Sequence, residues 1–210
     1  GLYNTFEVRG FNPSEAGNVR LQGLYFDLQG LISSRLIQGN TILVGLAAQR
    51  YPFPAPTGLV DFELALPHAE ASLSAEIDSM GTQIEGPGGS LSFKLPLDGN
   101  RLGIAGGVAG REATRTEGGK HSFRTYAGLI AFRPADDAEF IVFHGKINLN
   151  SDEARPTYFP AGPHLPPTLP RSKFLGLEWT EKDNAESSTG AIARFGLGDG
   201  WRVEAGLFDS

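Results

Sequence analysis

The residues that most often carry enzyme chemistry are scattered in this chain. It has no cysteine, which excludes disulfides and thiolate metal sites. Ser90 and Ser92 lack the Gly-x-Ser-x-Gly context of an activated nucleophile. The histidines show no metal-ligand spacing, and they stand at His68, His121, His144 and His164. The sequence therefore predicts that the protein is not an enzyme and that it has no cofactor or metal of its own.

Two other ligand classes are also disfavoured. The segment from Gly103 to Gly110 is rich in glycine, but it has no GxGxxG register and lies in a predicted strand. Close packing or bending of a sheet explains such a segment better than phosphate binding. A formal net charge of −6 argues against nucleic acid as the main partner.

The charges within alternating segments carry more information. From about residue 68, apolar residues recur at every second position, such as Leu91 and Phe93 in one segment and Ile141 and Phe143 in another. This alternation is typical of strands with one apolar face. A charge facing lipid costs about 2–4 kcal/mol near the membrane midplane. We therefore expect seven charges to lie opposite the apolar face and to line a lumen: Glu76, Lys94, Arg124, Lys146, Arg194, Arg202 and Glu204.

The connections between these segments favour a transmembrane β-barrel. Tight turns at 98–100, 134–138 and 198–200 alternate with longer polar connections at 81–89, 113–121 and 149–187. Bacterial barrels alternate short periplasmic turns with long extracellular loops in the same way. The predicted strands have about 10–12 residues, the length that a tilted strand needs to cross a bilayer. Aromatic residues near the strand ends suit interfacial girdles: Phe123, Phe132, Phe140 and Trp201.

The strand count indicates an incomplete barrel. Residues 174–179 can be read as a strand or as part of the long loop, and the second interpretation keeps all tight turns on one side. It leaves seven strands, fewer than the eight of the smallest bacterial barrels. The sequence also ends inside a predicted strand, so we expect a piece of a longer protein. The sequence has no run of 18 apolar residues, so no transmembrane helix is predicted. A soluble β-sandwich with one wet face remains the alternative.

Three motifs near the N-terminus resemble the plug domain of TonB-dependent outer-membrane receptors. Residues 8–11 (VRGF) match the plug motif of a hydrophobic residue followed by Arg-Gly-Phe. Residues 21–26 (LQGLYF) are similar to a later plug strand, although Gln22 stands where the family usually has Asp. Residues 56–62 (PTGLVDF) resemble the end of the plug. The family's Leu-Arg-Gly-Pro stretch is absent, and residues 44–48 (VGLAA) occupy that region.

The resemblance implies an all-β fold whose plug is mixed α/β. Residues 1–66 would be the C-terminal part of the plug, and residues 67–210 would be the first strands of an antiparallel barrel. The family's complete barrel has 22 strands and encloses the plug.

The resemblance also implies where a ligand binds. Arg9 either pairs with a carboxylate in the plug interior or lines the ligand pocket, and Tyr25 and Phe26 either touch the ligand or belong to the plug core. Other candidates lie in the plug loops and in the long barrel loop, whose aromatics suit a flat, partly apolar chelate. The full set is Arg9, Asn12, Ser14, Glu15, Tyr25, Phe26, Arg50, Tyr51, Phe53, Tyr158, Phe159 and His164.

The function that the resemblance implies is the energy-coupled uptake of a ferric siderophore across the outer membrane of a Gram-negative bacterium. The iron would arrive already chelated, so no protein ligand to iron is expected. TonB would act through a box that lies N-terminal to this sequence. We expect the protein to be a monomer in outer-membrane lipid. Haem, cobalamin or a glycan are alternative cargoes. A passive porin and a soluble carbohydrate-binding β-sandwich are the rival functions.

Overall fold

The chain is mostly β, with a small sheet followed by a large one. No helix in the described part of the chain is long and apolar enough to cross a membrane. The computed structural model describes residues 3–51, 55, 57–67, 70–80, 84–115, 118–150, 159, 161–164, 179 and 183–210.

The small sheet has four strands in the order β2-β1-β4-β3. The neighbours β1 and β4 are parallel, whereas the other pairs are antiparallel. The bounds are β1 Val19–Leu21, β2 Leu24–Tyr25, β3 Ile37–Leu43 and β4 Leu59–Leu64. We call this four-stranded unit the plug sheet.

The plug region has little helical structure in the residues described. Its one helix there is a short 3-10 helix, Gly45–Arg50. Prolines at 52, 54 and 56 follow it directly. Proline disfavours helical backbone in the residue before it and removes an N–H donor, so the turn does not extend into an α-helix. Strand β4 is buried on both faces, because Asp61 is buried together with its neighbours.

The large sheet is an antiparallel meander of seven strands, which confirms the predicted count. Tight turns join alternate pairs at 98–101, 136–137 and 199–200, as expected. The strands run from 9 to 16 residues, so several are longer than predicted. Residues 174–178 lie outside the described residues. The strands are β5 Ser72–Met80, β6 Ile84–Leu97, β7 Leu102–Arg115, β8 Lys120–Ala135, β9 Ala138–Asn150, β10 Asn184–Gly198 and β11 Trp201–Asp209.

One face of the large sheet packs against the plug sheet, and we call it the inner face. Leu129 of β8, Phe143 of β9 and Ile192 of β10 are buried there. They join Leu21 and Phe62 of the plug sheet in one hydrophobic cluster. Burying this much apolar surface between the sheets is the main favourable term for holding them together.

The opposite, outer face carries an apolar band that no described residue covers. Its members lie at alternate positions of successive strands, as the periodicity predicts. Ile77 is 92% exposed and Leu207 78%. The band comprises Leu73, Ile77, Leu91, Leu95, Val108, Ile130, Phe132, Phe140, Val142, Val203 and Leu207. A contiguous exposed apolar surface of this kind is typical of an interaction or membrane site and not of a wet sandwich face.

An aromatic cluster marks the tight-turn end of this band. Phe132 stacks on Phe140 with ring centroids 6.4 Å apart, and Phe140 meets Phe195 edge-on at 5.0 Å. Trp201 is on the same face and 74% exposed. The prediction that Phe123 belongs to this aromatic cluster is wrong, because Phe123 lies on the inner face with buried Thr125.

Candidate functional site

A large cavity lies between the plug sheet, the N-terminal loops and β10. Its volume is about 650 Å³, within the range of small-molecule sites. Three predicted ligand residues line it, namely Asn12, Ser14 and Glu15. Whether they bind a ligand stays a prediction.

A local network shapes the loop that carries these three residues. The Ser14 N–H donates to Oδ1 of Asn12 (3.0 Å), and Asn12 Nδ2 donates to Glu15 (3.2 Å). The Ala16 N–H also donates to the Asn12 carbonyl (3.0 Å). Asparagine commonly bonds to backbone groups two residues on, which makes it a turn former. The loop beside the cavity is therefore stabilised by hydrogen bonds within itself.

Glu186 supplies the wall of the cavity from the large sheet, and the sequence reading missed it. One carboxylate oxygen accepts the Leu31 N–H, and the other accepts Asn184 Nδ2 (2.6 Å). Glu186 is the second inward-facing residue of β10, directly after the long connection. Glu186 could have been identified from the sequence as a carboxylate at the C-terminal end of the long connection.

The charges that line the cavity are both negative. Glu15 and Glu186 are its charged residues, and the rest of its lining is apolar or neutral and polar. Two cations outside the lining donate to lining side chains, Lys94 to Gln38 Oε1 (2.9 Å) and Arg35 to Ser34 Oγ (3.4 Å). Within the described residues, no cluster of His, Asp or Glu is arranged to hold a metal ion.

Arg9 is not in the plug interior, so that interpretation was wrong. It is exposed, in a two-residue turn closed by hydrogen bonds between Val8 and Phe11 (2.9 and 3.0 Å). Arg9 and Gly10 both have positive φ, 53° and 79°. This turn explains the motif, because glycine adopts such backbone without strain. Arg9 is not among the residues that line the large cavity.

Tyr25 and Phe26 separate into two roles. Phe26 is buried and meets Phe208 of β11 edge-on, with centroids 5.3 Å apart. It is therefore core between the sheets and not a ligand contact, which corrects its place among the candidates. Tyr25 is 52% exposed, and its ring lies 5.2 Å from the Arg20 guanidinium carbon.

Tyr51 anchors the segment after the 3-10 helix to the plug sheet. Its hydroxyl donates to Oδ2 of buried Asp61 (2.6 Å), whose other oxygen accepts the Gly23 N–H (3.0 Å). Burial first, and then this bond to Asp61, raise the pKa of Tyr51 to about 12. Tyr51 does not line the large cavity, so the geometry does not bring it together with Asn12 and Ser14.

Arg20 is a buried charge of the plug sheet that the sequence analysis did not single out. It pairs in register with Asp61 across β1 and β4 and donates to the Val19 carbonyl (2.8 Å). Burial lowers its pKa, partly offset by Tyr25 and Asp61. A charge within the apolar run VRL is the sequence signal for such a position.

Five of the seven predicted lumen charges lie on the inner face: Glu76, Lys94, Arg194, Arg202 and Glu204. This placement follows from strand register, in which Lys94 pairs with Ala105 and Arg194 with Glu139 and Glu204. Arg194 also donates to the Gln22 carbonyl of the plug (2.9 Å).

A charge ladder crosses the inner face near the tight turns. Glu139 accepts from Arg133 (2.8 Å) and from Arg194 (3.0 Å). Arg194 also lies 3.6 Å from Glu204, which pairs with Arg202 (2.9 Å). The ladder thus joins four neighbouring strands, and Arg194 ties it to the plug.

The other two predicted lumen charges, Arg124 and Lys146, lie on the outer face. Arg124 alternates with buried Thr125 and shares its face with Tyr126, while Lys146 pairs in register with Tyr126. Both residues stand at the long-connection end of the outer band. Arg124 is neutralised by Glu112 (3.0 Å), with both side chains largely exposed. If this face met lipid, charges at its end would cost only about 0–1 kcal/mol each, the value near a membrane interface.

The remaining predicted ligand residues are not placed at the cavity by the structure. Phe53 and Tyr158 lie outside the described residues, and Arg50 ends the 3-10 helix. Phe159 is 86% exposed and His164 is exposed.

Comparison with known proteins finds similarity in structure but not in sequence. By sequence, the chain matches no family model and no curated protein. By structure, it matches FpvA of P. aeruginosa in complex with a heterologous pyoverdine and iron, with a TM-score of 0.68 and 14% identity over 95% of this chain. The chain has the fold of part of that receptor. It covers 28% of the FpvA chain, including part of the plug and part of the barrel.

Two further structures agree with this fold. One is FpvAI in complex with pyocin S2, with a TM-score of 0.66 and 13% identity over 91% of this chain and 26% of that one. The other is the ferripyoverdine receptor of the outer membrane of Pseudomonas aeruginosa bound to ferripyoverdine. Its TM-score is 0.65, with 13% identity over 96% of this chain and 28% of that chain. The expected plug-and-barrel fold is therefore confirmed.

Proposed function

We propose that the chain is part of a TonB-dependent outer-membrane receptor that takes up a ferric siderophore. The observation that carries the proposal is the fit to FpvA over 95% of the chain, with a plug sheet seated on the inner face of a barrel-like meander. We assign residues 1–66 to the plug and 67–210 to the barrel. The end of β4 at Leu64 and the start of β5 at Ser72 support this division.

The two faces of the large sheet support a place in the outer membrane. The outer band suits lipid, and its aromatic end suits an interfacial girdle. The filled inner face supports a receptor over a porin, because an open channel needs a lumen without a plug. The exposed apolar band also argues against a soluble carbohydrate-binding sandwich, whose outer face would be polar.

The large cavity is the proposed ligand site. Its lining combines apolar residues such as Leu28 and Phe62 with hydrogen-bonding groups such as Asn12 and Gln29. This mixture suits a bulky chelate with an amide-rich periphery. Uptake needs no bond chemistry by the protein, since the iron is bound by the siderophore. TonB, acting on the plug from the periplasm, would supply the energy, and the receptor would work as a monomer.

Growth of a deletion strain tests the proposal. A strain that lacks the natural gene should fail to grow on at least one ferric siderophore as sole iron source, and the gene should restore growth. Ser14→Trp, which fills the cavity, should lower affinity for that siderophore by about tenfold or more, equivalent to ~1.4 kcal/mol. Glu7→Trp, on an exposed residue outside the cavity lining, is the matched control. Normal growth of the deletion strain on every siderophore would rule out the function.

A further inference from the structure

A second, smaller cavity lies between the plug and the wall formed by β5 to β7. Its volume is about 230 Å³, room for several waters at about 30 Å³ each. Arg35, Ser34 and Gln38 line it from the plug, and Lys94, Ser92 and Ser74 line it from the sheet. With Ser72, which also lines it, two cations and four hydroxyl groups converge on one space.

The cations in this cavity differ from the other inner-face cations in their partners. Arg111 pairs with Asp78, and Arg133 and Arg194 share Glu139. Among the described residues, Arg35 and Lys94 form no ion pair. Arg35 donates instead to Ser92 Oγ (3.0 Å) and Ser34 Oγ (3.4 Å), and Lys94 donates to Gln38 Oε1 (2.9 Å).

The two nearby carboxylates do not line the cavity. Glu76 is the next inward residue of β5 after Ser74, and it does not line the cavity. Glu63 of the plug accepts a bond from Thr41 (3.2 Å) and does not line it either. The cavity thus concentrates positive charge without a carboxylate in its lining.

We propose that this cavity binds an oxyanion between Arg35 and Lys94. Lysine has three donors and arginine five, so both cations keep N–H groups beyond the bonds above. Charge-assisted bonds from a guanidinium and an ammonium to an oxyanion are short and strong. The serine hydroxyls supply neutral donors around them. A bound oxyanion would neutralise the cavity and join the plug to the barrel wall.

The oxyanion has two possible sources. It is either a free ion such as phosphate or an anionic arm of the ligand in the large cavity, because Ser34 and Gln38 line both cavities. The second source rests on the proposed function, whereas the first does not.

Calorimetry on the natural full-length protein in detergent tests the site with two probes at constant ionic strength. They are inorganic phosphate and ferric citrate, a chelate with carboxylate groups. We expect at least one probe to bind, and Arg35→Gln and Lys94→Gln each to weaken it at least tenfold. Arg101→Gln removes the same charge from an exposed turn and should leave binding unchanged.

The pattern of results separates the alternatives. Weakened phosphate binding indicates a free ion, and weakened ferric citrate binding alone indicates a ligand arm. If neither probe distinguishes the two cavity variants from Arg101→Gln, or if neither binds, the proposal is wrong. Phosphate binding together with normal growth of the deletion strain on every ferric siderophore would support the anion site and contradict the proposed uptake function.

Discussion

The two faces of the seven-stranded sheet are both apolar at their centres, but for different physical reasons. On the inner face, Phe143 and Ile141 are buried against the plug and belong to its core. On the outer face, Ile130 and Val142 are just over half exposed, and no described residue covers them. Charges are likewise found on both faces, inside as the charge ladder and outside at the end of the band. Apolarity alone therefore does not identify which face of such a sheet the plug covers.

Truncating the core of the inner face should have the largest effect. Phe143→Ala should lower the free energy of unfolding by about 3–5 kcal/mol, because it removes a buried ring and leaves a cavity. Val142 is the neighbour of Phe143 on the outer face. Val142→Ala, measured in the same detergent as Phe143→Ala, should lower the free energy of unfolding by under about 1 kcal/mol. Thermal unfolding of the natural protein followed by circular dichroism measures both. Equal losses for the two variants would mean that the faces are not distinct.

A charge in the outer band should have the next largest effect, and only in lipid. Ile130→Arg should destabilise the protein in vesicles by about 2–4 kcal/mol, whereas Arg124→Gln at the end of the band should change stability little. Reversible urea unfolding in vesicles, monitored by tryptophan fluorescence, gives the values. A neutral outcome for Ile130→Arg would argue against contact of this face with lipid.

Glycines on the two faces provide a finer comparison. A Cβ on Gly145 of the inner face would lie 2.8 Å from Leu36 Cδ1 and 3.0 Å from Ser33 Cβ of the plug. Gly145→Ala should therefore cost about 1–3 kcal/mol through overpacking. At Gly128 of the outer face the nearest atom would be 3.8 Å away, so Gly128→Ala should be nearly neutral. Melting temperatures of the two variants test the difference, and a harmless Gly145→Ala would show that the plug is seated less closely.

The smallest expected effect is a pH dependence of plug stability. The pKa of Tyr51 is raised to about 12 in the folded chain, against about 10 when unfolded. The neutral phenol is therefore favoured by folding, so its contribution is present below pH 10 and is lost as pH rises towards 12. Tyr51→Phe should remove this part of the alkaline decline in melting temperature. An unchanged profile in the variant would assign the decline to other groups.

Much of the architecture followed from local patterns. Alternation predicted the strands, Asp98-Gly99-Asn100 and Asp199-Gly200 predicted tight turns, and the VRGF motif predicted the plug. The plug was implied by the resemblance of its motifs to a known family. The strands and turns, in contrast, depend on backbone preferences and on a period of two, which are properties of neighbouring residues. Asn12, Ser14 and Glu15 were placed together for the same reason, since they share one loop.

What the sequence could not determine was which side of each strand meets the plug. Alternation defines two faces but does not name them, so Ile141 and Phe143 were grouped with the wrong face, and Lys146 was placed in the lumen. Only the seating of the plug sheet makes one apolar face a core and leaves the other exposed. The contacts of Glu186 with Leu31 and of Arg194 with Gln22 join residues more than 150 positions apart. Such pairs exist only once the tertiary structure brings the plug and the sheet together, because no local preference couples residues so distant in the chain.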